Sequence, residues 1–172
     1  YWAPLPYYVM AFLQGIAGGN VFQGYCLFAG ISIFFGGLPW LLLGKKIKRP
    51  VMGTMVGLVW FFMPENYRVF FSEGNLPRMV TAILIPYLIY FIYQYLEEEK
   101  SRYLVGVIIS MCAMTISHTM ISAMTGIAAF MYFCFYAHEN HCLKKPVRIL
   151  ICMVLSYSIV GIWLIPALSG GL

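Results

Sequence analysis

The sequence predicts an all-α, polytopic helical membrane protein, with about six transmembrane helices behind an N-terminal juxtamembrane helix. Three observations carry this. The 172 residues are 62% hydrophobic and 10% charged, where soluble domains carry roughly 25% charged residues. Mean hydropathy is +0.82, and several apolar runs reach the ~20 residues that cross a bilayer core. Cations gather in the short connections between those runs. That placement reads as a topology signal, so the net charge of +5 does not point to nucleic acid. Cys26, Cys112, Cys134 and Cys152 fall in apolar runs and Cys142 in a basic loop, so no disulfide framework is expected.

The elements follow in order. Residues 1–20 read as a juxtamembrane segment and 21–168 as a helical bundle, together a single transmembrane domain. Tyr1-Trp-Ala-Pro-Leu-Pro-Tyr-Tyr8 is aromatic and proline-rich, suited to the headgroup level. Tyr7 to Ala17 reads as a helix too short to span, ended by Gly18-Gly19-Asn20; the alternative is one long tilted helix with the next run. The first span is about Val21 to Leu43. Lys45, Lys46, Lys48 and Arg49 follow with no anion among them, which marks a cytoplasmic loop. A second, short span runs from Pro50 to about Met63-Pro64. Its Gly53 and Gly57 form a Gly-x-x-x-Gly that permits close helix contact; two unrelated glycines would read the same.

A polar loop from Pro64 to Arg78 comes next, and a third span from Met79 to about Leu96 ends in Glu97-Glu-Glu-Lys-Ser-Arg102. Tyr103 to Ala137 is too long for one crossing: 35 residues at ~1.5 Å each would far exceed the ~30 Å hydrocarbon core. Two crossings that break near Ser117-His118-Thr119 also return Lys144, Lys145 and Arg148 to the cytoplasm. The last span is about Ile149 to Leu168. This topology puts nine of the eleven Lys and Arg residues inside and only Arg68 and Arg78 outside, the expected asymmetry. The chain has no initiator Met and stops directly after a span, as a piece of a larger membrane protein would.

Topology collects the polar groups. Glu65, Asn66, Arg68, Glu73, Asn75, Arg78 and His118 share the outer side with the Trp2 segment. Arg78 and Arg68 present planar forks that match phosphate oxygens; alternatively, Arg78 pairs with Glu73 or snorkels at a helix start. Glu73 reads either as a base or metal ligand with a raised pKa, or as a first-turn acid complementing the next helix. His118 reads as an acid, base or ligand at a membrane break, or as a histidine bonded to the carbonyls freed there. The candidate binding residues are therefore Arg78, Glu73, Asn75, His118, Arg68 and Trp2, with no catalytic residue and no metal ligand assigned. His138-Glu-Asn-His-Cys142 departs from the His-Glu-x-x-His zinc pattern, because its second His comes one residue early.

Trp2-Ala-Pro-Leu-Pro-Tyr-Tyr8, the short helix ended by Gly18-Gly19, and Glu73-Gly-Asn-Leu-Pro-Arg78 carry a resemblance. The chain resembles GT-C superfamily polytopic glycosyltransferases, closest to bacterial and archaeal membrane proteins labelled "6-pyruvoyl-tetrahydropterin synthase-related". The likeness covers residues 1 to about 90; the rest matches only as generic spans. It implies transfer of a sugar from a polyprenyl-phosphate carrier on the outer face of a prokaryotic cell membrane, by inverting displacement. Whether a divalent metal serves is left open by the resemblance. Its catalytic acid is expected upstream of Tyr1, with Arg78, and secondarily Arg68, on the carrier phosphate and Glu73 and His118 toward the acceptor. The zinc-binding histidines of the soluble pterin enzyme have no counterpart here. The alternative is a non-enzymatic transporter or lipid-binding scaffold that recognises an anionic solute or headgroup; no internal repeat of the transporter kind is visible.

Overall fold

The computed structural model describes residues 4–169. Among these every regular element is helical and none is a strand. The chain forms two compact units, one up to Tyr90 and one from Phe91 onward.

The first unit opens with α1 (Pro4–Ile16) and α2 (Val21–Lys46). They are separate helices. Gly18 and Gly19 take left-handed backbone angles, φ 65° and 86°, the usual glycine helix stop. Asn20 then caps α2, its side chain accepting from the Gln23 amide at 3.0 Å. This excludes one continuous tilted helix. α1 lies close on α2, since a Cβ on Gly24 would stand 2.9 Å from the Gln14 Cα.

A tight turn joins α2 to α3 (Pro50–Phe62). Pro50 occupies the first helical position, where its missing N–H costs nothing. The two helices touch backbone to backbone: a Cβ on Gly44 would come within 2.7 Å of the Gly53 Cα. Gly57 meets Gly37 and Trp40 in the same way, at 3.4 Å. The Gly-x-x-x-Gly is therefore a packing motif within the chain.

Met63 sits before Pro64 with ψ 136°, as steric conflict with a proline ring demands, and α3 stops there. A short α4 (Pro64–Arg68) and one π-helical turn (Val69–Glu73) follow. Gly74, at φ 60°, redirects the chain into α5 (Leu76–Glu98). Val69 and Phe70 are buried in a core with Phe28, Phe61 and Met79; Phe70 stacks edge-on against Phe61.

The second unit takes the end of α5 with α6 (Ser101–Ser117), α7 (Thr119–Asn140) and α8 (Lys144–Leu168). The chain reverses at His118, as the 35-residue length argument expects. Ile108 and Cys112 on α6 meet Ser156 on α8. Lys145, at the start of α8, reaches the Leu96 carbonyl at 2.7 Å and Glu99 at 3.1 Å, beside the start of α6. α6 and α8 thus run in one direction, and α7 returns between their ends. A hydroxyl chain fastens the reversal: Tyr157 to Ser122 at 3.0 Å, Ser122 to Thr115 at 2.8 Å, and Thr115 to the Met111 carbonyl at 2.8 Å.

Among the described residues, four helices are long and apolar enough to cross a membrane: α2, α5, α7 and α8. α3 and α6 are apolar but have 13 and 17 residues, about 20 and 26 Å of helix. A count of six crossings therefore rests on these two spanning as short helices.

Candidate functional site

The loop between α3 and α5 is built to converge charge. α4 places Glu65 and Arg68 one turn apart, where i,i+3 side chains meet. The π turn buries Val69 and Phe70 and so pins the strand of chain that carries Glu73. Asn75 then starts α5: its Oδ1 accepts from the Arg78 amide at 3.3 Å. That cap fixes Arg78 in the first turn, and the buried Thr81 hydroxyl donates to the Arg78 carbonyl at 2.8 Å.

The result is a closed ring of four charges. Arg68 pairs with Glu65 at 3.0 Å and with Glu73 at 3.2 Å. Arg78 pairs with Glu73 at 3.5 Å and also with Glu65. Two cations alternate with two anions, and the ring is neutral. The Arg78 guanidinium, and after it that of Arg68, holds the Glu65 carboxyl below the usual carboxylate range. The ring is open to solvent: the Arg68 side chain is 55% exposed and that of Arg78 26%. Tyr67 and Phe71, both exposed, stack at 5.0 Å beside it.

Beneath the ring, Tyr25 of α2 donates its hydroxyl to the Phe70 carbonyl and lies 3.6 Å from the Met79 sulfur. Asn66 donates to the Trp60 carbonyl, and the Trp60 indole N–H to the Ala82 carbonyl at 2.9 Å. The loop is thus tied to α2, α3 and α5 by backbone carbonyls that would otherwise lie unpaired.

Four sequence-predicted residues come together here: Arg78, Glu73, Asn75 and Arg68. Arg78 does pair with Glu73, as one of its readings held. Glu73 is not a first-turn acid of α5: it lies before Gly74, and its carboxylate faces the two arginines. Trp2 lies outside the described residues. His118 belongs to the second unit, where its Nδ1 accepts from the Ile121 amide at 3.4 Å as the cap of α7. There it meets an N–H group at the start of a helix. Sequence reasoning assigned no role to Glu65, which touches both arginines; its spacing to Arg68 was the available signal. Among the described residues, no three His, Cys, Asp or Glu side chains are grouped to hold a metal ion. In the His138 to Cys142 stretch, His138 and Glu139 approach to 3.8 Å.

The family model described as "6-pyruvoyl-tetrahydropterin synthase related domain; membrane protein" matches residues 1–172, the whole chain. No curated protein and no solved structure matches it.

Proposed function

The chain belongs to the 6-pyruvoyl-tetrahydropterin synthase related family of membrane proteins, and on that footing we propose that it is part of a GT-C type glycosyltransferase. The reaction would move a sugar from a polyprenyl-phosphate carrier at the extracytoplasmic face of a prokaryotic cell membrane. One observation supports this above the rest: two guanidinium groups converge on a single loop beside exposed aromatic rings, where a lipid phosphate at headgroup level would arrive.

The chemistry follows from the groups. An acceptor hydroxyl attacks the anomeric carbon, the carbon–oxygen bond to the carrier phosphate breaks, and the phosphate leaves with the electron pair. Arg78 and Arg68 would take that developing charge as a fixed pair of forks. Glu65 and Glu73 hold the forks in place before the carrier binds, and the phosphate would displace the more exposed of the two, Glu65. The reading leaves the proton acceptor unassigned among residues 1–172.

The exposure of the ring also fits a second reading, a lipid-binding scaffold without turnover, in which the same charges hold an anionic headgroup. One assay separates the two. The full-length protein is reconstituted with a polyprenyl-phosphate-linked sugar, and release of free polyprenyl phosphate is followed. Arg78→Ala is expected to slow release on the order of 10²-fold, with Arg78→Lys recovering part of it. Unchanged release and unchanged carrier binding in Arg78→Ala would refute the phosphate role. Carrier binding without any sugar release would favour the scaffold.

A further inference from the structure

The turn between α2 and α3 carries Lys45, Lys46, Ile47, Lys48 and Arg49, all exposed. It holds four cations and no anion. The two acids of residues 1–90, Glu65 and Glu73, both stand in the charged ring of the loop between α3 and α5. The turn is short and its backbone is fixed. The amides of Ile47, Lys48 and Arg49 donate to the carbonyls of Leu43, Lys45 and Gly44 at 3.0, 3.1 and 2.7 Å. On its inner side Gly44 and Gly53 bring the two helices into backbone contact.

Local physics accounts for two of these four charges. Lys45 and Lys46 stand in the last turn of α2, where cations complement the helix dipole. Lys48 and Arg49 are placed at a cost. Lys48 has φ 60°, a left-handed conformation that favours glycine or asparagine over a long side chain. Arg49 is the N-cap of α3 and makes no side-chain capping bond, and its charge lies at the positive end of that helix dipole. A topology signal needs cations somewhere in the connection, but not at these two positions. An anion bound from outside the chain would offset both placements.

The surroundings of the turn say what bears that anion. α2 is long and apolar enough to cross a bilayer, so the turn at its end reaches headgroup level under either count of crossings. Ile47 is exposed among the cations, and Val51 and Met52, in the first turn of α3, are exposed next to them. Cations beside exposed apolar side chains suit a molecule with an anionic head and a hydrocarbon body. A soluble polyanion would leave Ile47, Val51 and Met52 uncovered. We propose that the α2–α3 turn binds an anionic phospholipid. Lys45, Lys48 and Arg49 hold its phosphate, and its upper acyl carbons lie on Ile47 and the start of α3. This site is distinct from the charged ring and needs no sugar carrier.

Binding is read on the full-length protein in neutral detergent micelles. Met52→Cys, in a background without other cysteines, carries a bimane whose emission is quenched by brominated phosphatidylglycerol or brominated phosphatidylcholine. Phosphatidylglycerol is expected to bind more tightly by about tenfold or more, and the preference should shrink as salt rises. Lys48→Gly and Arg49→Gln should each lower the phosphatidylglycerol affinity about fivefold and leave that for phosphatidylcholine unchanged. Both variants should melt no lower than the parent, since Lys48→Gly relieves the left-handed backbone and Arg49→Gln takes a cation from a helix N-terminus. If both instead melt lower and bind less, the charges brace the turn and the proposal falls. Ile47→Lys combined with Lys48→Gly keeps the net charge and loses the arrangement, so it should bind as weakly as Lys48→Gly. Parental affinity in that double variant would mean that charge alone attracts the lipid, with no built site. Equal quenching by the two lipids, or unchanged phosphatidylglycerol affinity in both single variants, would also overturn the proposal. Displacement of the lipid by polyglutamate at matched charge would assign the turn to an acidic polypeptide and overturn it as well.

Discussion

At the scale of single residues, the turn that carries the charged ring depends on partners far away in sequence. Tyr25 holds the Phe70 carbonyl from a different helix. Tyr25→Phe removes that donor and leaves a buried carbonyl unpaired, at a cost of about 1–3 kcal/mol. A lower melting temperature in detergent is the expected outcome; an unchanged one would mean that another donor takes over. Glu65 makes a different prediction. Its pKa is depressed by Arg78 and Arg68, so its contribution to the ring is present above the ordinary carboxylate range. It is lost as pH falls through the depressed value. Glu65→Gln removes the charge at every pH. If Glu65 competes with a phosphate for the two arginines, the variant binds polyprenyl phosphate several-fold more tightly at pH 7. The difference should close as the wild type is acidified through the Glu65 titration. Weaker binding by the variant at pH 7 would mean that Glu65 supports the ligand instead of competing with it. The pairing of Arg78 with Glu73 was legible in the sequence, because charge is rare here and both groups stand in one short loop. The role of Glu65 was not, because its contact with Arg78 depends on a π turn and a left-handed Gly74 that bring together residues thirteen apart.

At the scale of elements, length and punctuation were the readable signals. The glycine stop after α1 and the proline break after α3 follow from local rules, and the reversal at His118 from a run too long for one crossing. What periodicity could not reveal is which glycine touches what. Gly53 and Gly37 both lie in the helix pair α2 and α3, yet their surroundings differ completely. A Cβ at Gly53 would press on the Trp40 carbonyl and stand 2.7 Å from the Gly44 Cα, while one at Gly37 enters open space. Gly53→Ala should therefore force the two backbones apart and cost about 1–3 kcal/mol. Gly37→Ala should be neutral or stabilise by up to ~1 kcal/mol through helix propensity. Thermal melts of the two variants side by side check the contrast, and equal effects would refute the contact geometry. In the second unit, Ser122→Ala cuts the hydroxyl chain between Tyr157 and Thr115. Its loss is expected to cost about 1 kcal/mol and to loosen the α6–α7 reversal, seen as faster amide exchange in the first turn of α7.

At the scale of the whole molecule, the open quantity is the number of crossings, and it turns on α3 and α6. Positive charge placement argues for six, since each short helix is needed to bring the next basic connection back to the cytoplasm. Length argues for four, since α3 and α6 would need local thinning of the bilayer or polar flanks drawn inward. Three positions separate these cases: Ile47 between α2 and α3, Ser72 in the π turn, and the natural Cys142 between α7 and α8. Ile47 and Ser72 are exposed, so cysteines placed there, one at a time, in a background lacking the other cysteines, can meet a membrane-impermeant maleimide. With six crossings, Ser72→Cys reacts on intact cells, whereas Ile47→Cys and Cys142 react only after permeabilisation. If the four long helices alone cross, only α5 and α7 intervene between Ser72 and Cys142, and none between Ile47 and Ser72; all three thiols then share one side. That outcome would place the charged ring on the same side as the basic connections. A phosphate delivered from the outer leaflet could not reach it, and the glycosyltransferase reading would fail together with the topology.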